Sequence, residues 1–454
     1  SVCFVSNQPQ RREIFAAAFR DRVVHHLLIR QIAPYWERRF IHDSYACRVG
    51  KGTLAAVERT QQFIREVSSN GSRPAFYLHL DIRSFFVSID KRILLDMVLT
   101  ALRKQGLPWA AELAWLAECI VMLDPSVDAM QRGRSLQAVP AHKSLFYTGN
   151  RTGLPIGNYT SQFFANVYLD QLDQWVKHTL KIPRYLRYVD DLLLLDRDPA
   201  RLLEAEQQIA EFLRRRLQLE LNHRSRSLGR VASGIDAFGY IVHCHHRYLR
   251  RRTVRRFRAV LAVNAKQVVP QAHAGRVLHL RPGQAERLAA VCASYAGLMG
   301  HANCQRLQTA IKSRHPWLGL LMQRSRRGHL IRRFSAPGPH ASLAAQWWGL
   351  RRLWPRARLL LQVGTHYEAY RLDALWLQHR FGLAKGPDRA GFRHVAGFAC
   401  AFRALLRRIV AAADRPVLVF REVNGQQGAV RARELSLMFN PTSGVMGPAG
   451  AETR

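Results

Sequence analysis

The chain has 454 residues, of which 48% are apolar, and this length with an ordinary globular composition predicts two or three domains. Lys and Arg number 69 against 32 Asp and Glu, a net charge of +37 that favours a polyanionic partner such as nucleic acid over arginines that are only solvated. The seven cysteines form no CxxC pair, no apolar run reaches about 18 residues, and no signal peptide pattern begins the chain. These features argue against a disulfide framework, a zinc knuckle and a membrane helix, and we expect a cytoplasmic protein.

The first half of the chain alternates between helical and strand-like patterns. Apolar spacing predicts helices within residues 14–66, carried by Phe15, Phe19, Val23, Val24, Leu27 and Leu28. The elements expected after them are a loop at 68–72, a strand at 75–80, a helical region at 92–124, a polar insertion at 125–151, a Gly/Pro turn at 153–158, a long helix at 161–180, strands at 184–189 and 192–195, a helix at 200–216 and a strand at 238–242. Together they predict an α+β unit.

The second half divides at a Pro- and Gly-containing segment, 335–339, which is typical of a linker. Residues 250–325 predict basic helices, and a separate α/β unit of about 100 residues follows the linker. The tail from Pro441 is rich in Gly, Pro and Ser, which predicts disorder. The run His243-Cys244-His245-His246 follows an apolar strand-like stretch and has no second ligand pair, so a turn is favoured there over a metal site.

Three aspartates indicate a metal-dependent site. Asp81 closes the strand at 75–80, and Asp190-Asp191 stands between two strand-like runs, where a hairpin turn would present both carboxylates beside Asp81. Paired carboxylates in such apolar surroundings are costly without a cation. Two Mg²⁺ ions about 4 Å apart can activate a 3′-hydroxyl and stabilise a triphosphate, and carboxylate oxygens suit them as ligands. An ordinary Asp-Asp turn is the alternative for the pair alone.

Four blocks of the sequence, at residues 80–90, 153–162, 188–191 and 234–240, resemble blocks that reverse transcriptases carry in the same order. The likeness covers roughly residues 14–330. Tyr188-Val189-Asp190-Asp191 is similar to the YxDD box of that family, and residues 80–90 resemble the block that carries its first catalytic aspartate. Residues 153–162 resemble the block between these two, which is the third block of the family. Residues 234–240 resemble the primer grip.

The resemblance implies an α+β right-hand polymerase with fingers, an antiparallel-sheet palm and a helical thumb. Its implied partners are an RNA template, a DNA primer or product duplex, and dNTPs, and the basic thumb would follow the duplex through phosphate contacts. The implied metal ligands, for Mg²⁺ or Mn²⁺, are Asp81, Asp190, Asp191 and the Ile82 carbonyl. The implied divisions are fingers at 1–72, a palm at 73–245 with a fingers insertion near 92–151, a thumb at 246–330, a linker at 331–345, a small C-terminal α/β domain at 346–440 and a disordered tail at 441–454.

The same resemblance assigns nucleotide-binding residues. The candidates are, in chain order, Arg48, Lys51, Phe86, Ile156, Gly157 and Gln162. Phe86 lies where the family keeps an aromatic beneath the sugar, and a flat ring there leaves no room for a 2′-hydroxyl. Arg48 and Lys51 lie in a cationic turn suited to a triphosphate, although a solvated basic turn would look the same. The family often has a lysine near the end of its fourth block. Residues 221–226 correspond to that region in this chain, and they contain no lysine.

The third block also indicates a subfamily. Its pattern of Ile156-Gly157 followed by Ser161-Gln162 is similar to that of bacterial diversity-generating retroelement enzymes, which copy a template RNA with frequent errors at adenines. Many relatives carry Gln at the position of Ile156; Gln can hydrogen-bond the incoming nucleotide, whereas Ile can only pack. The loss of an oriented polar contact loosens discrimination and predicts error-prone synthesis. Unassigned or defence-associated bacterial reverse transcriptases are the alternative, and an accessory protein subunit is left open.

The C-terminal unit resembles the N-terminal mismatch-recognition domain of MutS repair proteins. The likeness covers about residues 346–435, and the family has Gly-Asp-Phe-Tyr-Glu where this chain has residues 364–368, Gly-Thr-His-Tyr-Glu. It implies that His366 and Glu368 contact nucleic acid, with His366 replacing the Phe that wedges into a duplex. No Walker A box is present, so a repair ATPase is excluded. An accessory α/β module without this role is the alternative.

Two functions other than reverse transcription are consistent with part of the sequence. One is a catalytically idle scaffold that binds nucleic acid, against which the three aspartates argue, because binding alone does not require buried acids. The other is an RNA-templated RNA polymerase, against which Phe86 argues.

Overall fold

The computed structural model of the protein describes residues 1–6, 11–132, 139–269, 277–281, 283–324, 330–332, 342–427 and 430–439. The chain divides into two compact units of mixed α and β structure, Ser1–Arg247 and Tyr248–Arg454. The tail predicted at 441–454 and most of the predicted linker lie outside the described residues. Within the described part of the chain, no helix combines the length and the apolar character that crossing a membrane requires.

The first unit contains most of the α+β pattern predicted from the sequence. Its helices are α1 (Phe19–Arg39), α2 (Thr53–Ser68), α3 (Phe85–Ser88), α4 (Lys91–Gln105), α5 (Ala110–Met122), α6 (Tyr159–His178) and α7 (Pro199–Leu217). Its strands are β1 (Val2–Ser6), β2 (Arg12–Ala16), β3 (Phe76–Asp81), β4 (Met130–Arg132), β5 (Tyr185–Tyr188), β6 (Asp191–Asp196), β7 (Ser227–Arg230), β8 (Ile235–Ala237) and β9 (Tyr240–Val242), and β10 (Arg247–Leu249) spans the boundary between the units.

A four-stranded antiparallel sheet forms the centre of the first unit. Its strand order is β5-β6-β3-β7, so the strand that ends at Asp81 lies beside the strand that begins at Asp191. The four leucines of β6, residues 192–195, are all fully buried because α2 and α7 both pack against this strand. A short, uninterrupted apolar run is what a strand covered on both faces requires. The long helix α6 runs through the same core with most of its side chains buried.

The N-terminal segment departs from the helical prediction. Residues 12–16 form strand β2, which pairs with β1, because Glu13 and Phe15 alternate onto a buried face against a small core that includes Leu145. The helix α1 begins only at Phe19, and its buried residues are His25, Leu28, Ile29, Ile32 and Trp36. Of the predicted apolar face, Phe19, Val23, Val24 and Leu27 are exposed instead.

Two other boundaries differ from the sequence prediction. The helical region at 92–124 is two helices, α4 and α5, because Gly106 ends α4 in a left-handed conformation with φ of +61°. The strand predicted at 238–242 is the second strand of a hairpin, and Phe238 lies in its turn with φ of +51°.

The second unit combines basic helices with a six-stranded sheet. Its helices are α8 (Arg251–Val268), α9 (Gln284–Gly300), α10 (Gln305–Arg314), α11 (Leu318–Leu321), α12 (Leu343–Leu353), α13 (Leu372–Phe381) and α14 (Arg403–Ala411). Its strands are β11 (Val277–His279), β12 (Met322–Arg324), β13 (Leu330–Arg332), β14 (Arg358–Val363), β15 (His366–Tyr370), β16 (Val395–Ala399), β17 (Val417–Gln427) and β18 (Val430–Phe439).

Strand β11 joins the C-terminal sheet, whose order is β11-β18-β17-β14-β15-β16. It pairs antiparallel with β18, and two further hydrogen bonds extend the contact, from the Leu280 amide to the Ser436 carbonyl and from the Gly283 amide to the Glu434 carboxylate. A strand from the segment predicted as thumb therefore shares one sheet with the segment predicted as a separate C-terminal domain. The domain limits themselves stay a prediction.

Candidate active site

The three predicted aspartates lie together at one end of the central sheet. Antiparallel pairing of β3 with β6 sets Asp81 directly opposite Asp191. Asp190 occupies the turn between β5 and β6, and its carbonyl accepts a hydrogen bond from the Ile82 amide at 3.2 Å. Val189, the other turn residue, has φ of +57°, an unusual conformation for a β-branched side chain. The hairpin turn thus presents both of its carboxylates beside the end of β3.

The electrostatics of this cluster favour a cation. Burial raises the pKa of Asp190 to about 7, and the neighbouring charges of Asp191 and Asp81 add to the rise. A carboxyl whose pKa is raised by like charges is one that a bound cation would keep ionised. The atoms predicted to bind the metal are carboxylate and carbonyl oxygens, which suit Mg²⁺ or Mn²⁺ as ligands.

The carboxylates are neighbours but do not converge on one point. Among the residues that the structure describes, no three His, Cys, Asp or Glu side chains are arranged to hold a metal ion. Two side chains hold the aspartates in place instead: Asn222 donates to the Asp81 carboxylate at 2.7 Å, and His79 Nε2 lies 3.1 Å from Asp191 Oδ1. A complete metal shell would therefore take further oxygens from water or a nucleotide, as Mg²⁺ sites commonly do.

Sequence reasoning missed three residues around this cluster. His79 precedes Asp81 by two residues in β3, and this spacing, which places both side chains on one face of a strand, was an available signal. Asn222 follows Leu221, which forms an isolated antiparallel bridge with Ile82. The contact of Asn222 with Asp81 therefore depends on a backbone pairing between residues far apart in sequence. Arg12, at the start of β2, is exposed, and its charge acts on Asp190 and favours the ionised carboxylate.

The residues predicted to read the nucleotide lie on connected segments. Phe86 is half-buried in α3, and its carbonyl accepts a hydrogen bond from the Leu154 amide at 2.7 Å. Ile156 is half-buried, and its carbonyl accepts from the Phe15 amide of β2 at 2.8 Å. Gly157 has φ of +127°, and Gln162 is exposed in the first turn of α6. The Phe86 block, the third block and the N-terminal hairpin are thus joined by backbone hydrogen bonds.

The two predicted triphosphate ligands already have partners within the protein. The Arg48 guanidinium donates to Glu37 at 2.8 Å and to the Ile41 and Ser44 carbonyls at 2.8 and 3.1 Å, and its side chain is only 7% exposed. The Lys51 ammonium donates to the His42 carbonyl at 3.0 Å and lies over the Tyr45 ring. In this conformation both side chains stabilise the fold of the loop between α1 and α2.

The two predicted residues of the C-terminal unit differ in exposure. His366 is exposed at the start of β15, beside a turn in which Gly364 has φ of +60°. Glu368 is 8% exposed; it accepts a hydrogen bond from the Tyr370 hydroxyl at 2.7 Å, and Arg389 lies 3.5 Å away. His366 is therefore exposed, with its Nδ1 3.1 Å from the Thr365 hydroxyl, whereas Glu368 is engaged within the unit.

One comparison with known families matches most of the first unit. A family described as reverse transcriptase (RNA-dependent DNA polymerase) matches residues 7–232. No curated protein matches the chain. Solved structures that match include a telomerase of Candida albicans with a fragment of telomeric RNA, at 10% identity, 58% coverage of this chain, 49% of that one and a TM-score of 0.39. An apo telomerase of Candida tropicalis matches at 9% identity, with 54% and 47% coverage and a TM-score of 0.39. The chain thus spans about half the length of these structures, and their low TM-scores carry no further argument.

Proposed function

We propose that the chain is a reverse transcriptase that extends a DNA primer along an RNA template with dNTPs, because residues 7–232 match the family described as reverse transcriptase (RNA-dependent DNA polymerase). The observation that carries the proposal is the pairing of β3 with β6, which sets Asp81 against Asp191 beside the half-buried Asp190. This arrangement supports a site at which a primer 3′-hydroxyl attacks the α-phosphorus of a dNTP and pyrophosphate leaves.

Asp81, Asp190, Asp191 and the Ile82 carbonyl would hold two divalent ions, Mg²⁺ or Mn²⁺. Bound ions supply the Lewis acid that makes the 3′-hydroxyl nucleophilic and offsets the charge of the triphosphate. The chain contributes the placement of the ligands. Asn222 and His79 orient two of the carboxylates, and the backbone bond from Ile82 to Asp190 fixes the turn against β3.

The nucleotide would lie between the aspartates and the fingers. Phe86 would exclude a 2′-hydroxyl and select dNTPs, and Ile156, Gly157 and Gln162 would line the base and template side. Arg12 is a further candidate for the triphosphate because it is exposed and its charge reaches Asp190. Arg48 and Lys51 would join it only after exchanging their present partners, the carboxylate and carbonyl oxygens described above, for phosphate oxygens.

We further propose that synthesis is error-prone, as in diversity-generating retroelements. Ile156 offers no side-chain hydrogen bond to an incoming nucleotide, so discrimination would rest on shape alone. The alternative within the family is another bacterial reverse transcriptase of ordinary fidelity. An error spectrum on a defined RNA template separates the two, since we expect frequent errors at template adenines that decrease in Ile156→Gln. High fidelity at adenines, unchanged by the substitution, would contradict this proposal.

The second unit would hold the product duplex. Exposed arginines follow one another along α8 at 251, 252, 255, 256 and 258, a spacing suited to phosphate contacts. His366 would add a stacking contact from the C-terminal sheet, with Glu368 beside it. If so, His366→Ala weakens binding of mismatched duplexes more than Glu368→Gln does, because only His366 is exposed. Unchanged affinity in both variants would leave this sheet without a nucleic-acid role.

Primer extension on RNA with dNTPs tests the main proposal. We expect Asp190→Asn to lower the rate by about a hundredfold or more, since it removes a charge on which the reaction depends. Asp196→Asn is the matched control, because Asp196 lies at the far end of strand β6, five residues beyond Asp191, and pairs with Arg201 at 3.2 Å. Equal activity of the two variants, or activity that persists in Asp190→Asn, would contradict the proposed site.

A further inference from the structure

We propose that Arg187 is a positioning residue that fixes the catalytic turn, Val189–Asp191, relative to the fingers segment 43–48. The inference rests on the proposed function of that turn. Arg187 lies on β5, directly before Tyr188, and its side chain is 0% exposed. It is the largest of the fully buried side chains among the described residues. A buried guanidinium carries five donors that all require partners, so each partner it has defines the position of another segment.

The first partner anchors Arg187 to the core. Its Nε and Nη2 donate to the carboxylate of Asp173 on α6 at 2.9 and 2.7 Å, and Asp173 is also 0% exposed. The Tyr185 hydroxyl donates to the same carboxylate at 2.7 Å. The pair forms a two-pronged contact, so the plane of the guanidinium is fixed and its remaining donors point in set directions.

The second partner is the catalytic turn itself. Arg187 Nη1 donates to the Val189 carbonyl at 3.0 Å and to Asn166 Oδ1 at 3.0 Å. Val189 has φ of +57°, a conformation that a β-branched residue adopts only when its surroundings impose it. The hydrogen bond to its carbonyl is one such constraint, and it acts one residue before the first metal-binding aspartate of the turn, Asp190.

The third partner belongs to the fingers. Arg187 Nη2 donates to the Ser44 hydroxyl at 3.1 Å. Backbone hydrogen bonds join the same two segments. The Arg187 amide donates to the Asp43 carbonyl at 2.9 Å, and the Tyr45 amide donates to the Arg187 carbonyl at 3.0 Å. This segment leads directly into the loop of Arg48 and Lys51. One side chain therefore joins the aspartate turn and the nucleotide-facing loop to a common anchor.

A lysine could not replace these contacts. Its ammonium could keep the charge pairing with Asp173, but it lacks the planar fork that reaches Val189 and Ser44 simultaneously. We therefore expect Arg187→Lys to loosen the turn and the fingers segment while the unit stays folded. Arg433→Lys is the matched control. Arg433 is likewise buried, donates hydrogen bonds from all three of its guanidinium nitrogens, and lies in the other unit.

The experiment combines hydrogen exchange with primer extension. In Arg187→Lys, amides of residues 185–193 are expected to exchange faster, kcat to fall by about 10- to 100-fold, and the Mg²⁺ concentration for half-maximal rate to rise. Ser44→Ala, a smaller change, is expected to raise the KM for dNTPs about threefold with kcat retained. In Arg433→Lys, exchange at 185–193 and kcat stay as in the unaltered protein.

The outcomes separate this inference from the proposed function. If Arg187→Lys folds and matches Arg433→Lys in exchange and kcat, Arg187 is only a core residue and the inference is wrong. If Arg187→Lys does not fold, Ser44→Ala decides, and an unchanged KM overturns the link to the fingers. If the unaltered protein does not extend a primer, the proposed function fails, whereas the exchange of residues 185–193 still tests Arg187.

Discussion

Gly157 is the point at which the N-terminal hairpin meets the third sequence block. A Cβ added there would lie 2.7 Å from the Phe15 carbonyl oxygen and 3.0 Å from Ile14 Cγ2, and φ is +127°. The adjacent hydrogen bond from the Phe15 amide to the Ile156 carbonyl ties the two segments together. The substitution Gly157→Ala therefore either strains this junction or separates the hairpin from the block that is proposed to face the nucleotide.

The size of the effect follows from two contributions. A non-glycine residue in this region of φ costs about 1–3 kcal/mol, and loss of the backbone hydrogen bond costs about 1 kcal/mol more. We expect the free energy of unfolding to fall by about 2–4 kcal/mol in Gly157→Ala. Gly149 is the matched control, since its φ is +67° and a Cβ there meets nothing within 4 Å. Gly149→Ala should cost only the conformational part, about 1 kcal/mol.

Urea unfolding followed by primer extension measures both consequences. Because Ile156 adjoins Gly157, displacement of the block should lower kcat/KM for dNTPs about tenfold or more, whereas Gly149→Ala should polymerise normally. The reasoning is refuted if the two alanine variants are equally stable and equally active. In that case the contact between hairpin and block is tolerant, and the hairpin has no part in shaping the site.

Two further predictions concern other residues of the first unit. Phe86→Val should reduce the preference for dNTPs over NTPs by about 10- to 200-fold, the range that one steric contact supports. The preference is measured as the ratio of the kcat/KM values for the two kinds of nucleotide. An unchanged ratio would show that Phe86 has no part in sugar selection. Burial alone would raise the pKa of Asp43, but hydrogen bonds from Arg59 and Lys177 outweigh it and leave the pKa below its ordinary value of 3.8. Its contribution to stability is therefore present above pH 3.8 and lost as the pH falls further. Asp43→Asn should be less stable than the unaltered protein at pH 7, with a difference that shrinks under acid unfolding, and a constant difference would contradict this assignment.

The aspartates were predictable because their signals are local. A strand ending at Asp81 and a turn at Asp190 follow from apolar runs and their interruptions, and the resemblance to a known family supplied the order of the blocks. The strand register sets Asp81 opposite Asp191, as the predicted hairpin requires, and the catalytic role of the aspartates stays a prediction. The contacts of His79 and Asn222 were not predicted, because each depends on which residues of distant strands become neighbours.

The fingers and the N-terminus show where local patterns mislead. The apolar period of α1 continues back to Phe15 and predicts a helix there, although residues 12–16 alternate as a strand does. Arg48 looked like a free cation because the sequence does not show that the Glu37 carboxylate and two carbonyls surround it. Glu368 is a similar case, since the Tyr370 hydroxyl and Arg389 that engage it come from residues whose packing only the fold determines.

The pairing of β11 with β18 has a practical consequence for dividing the chain. A fragment that begins at residue 342 would retain five strands of the C-terminal sheet but would lose β11. The amide and carbonyl groups of β18 that now bond to residues 277–280 would face solvent along an open edge. Open edges of this kind recruit strands from other molecules. We therefore expect a fragment without β11 to associate through this edge more readily than a fragment that keeps it.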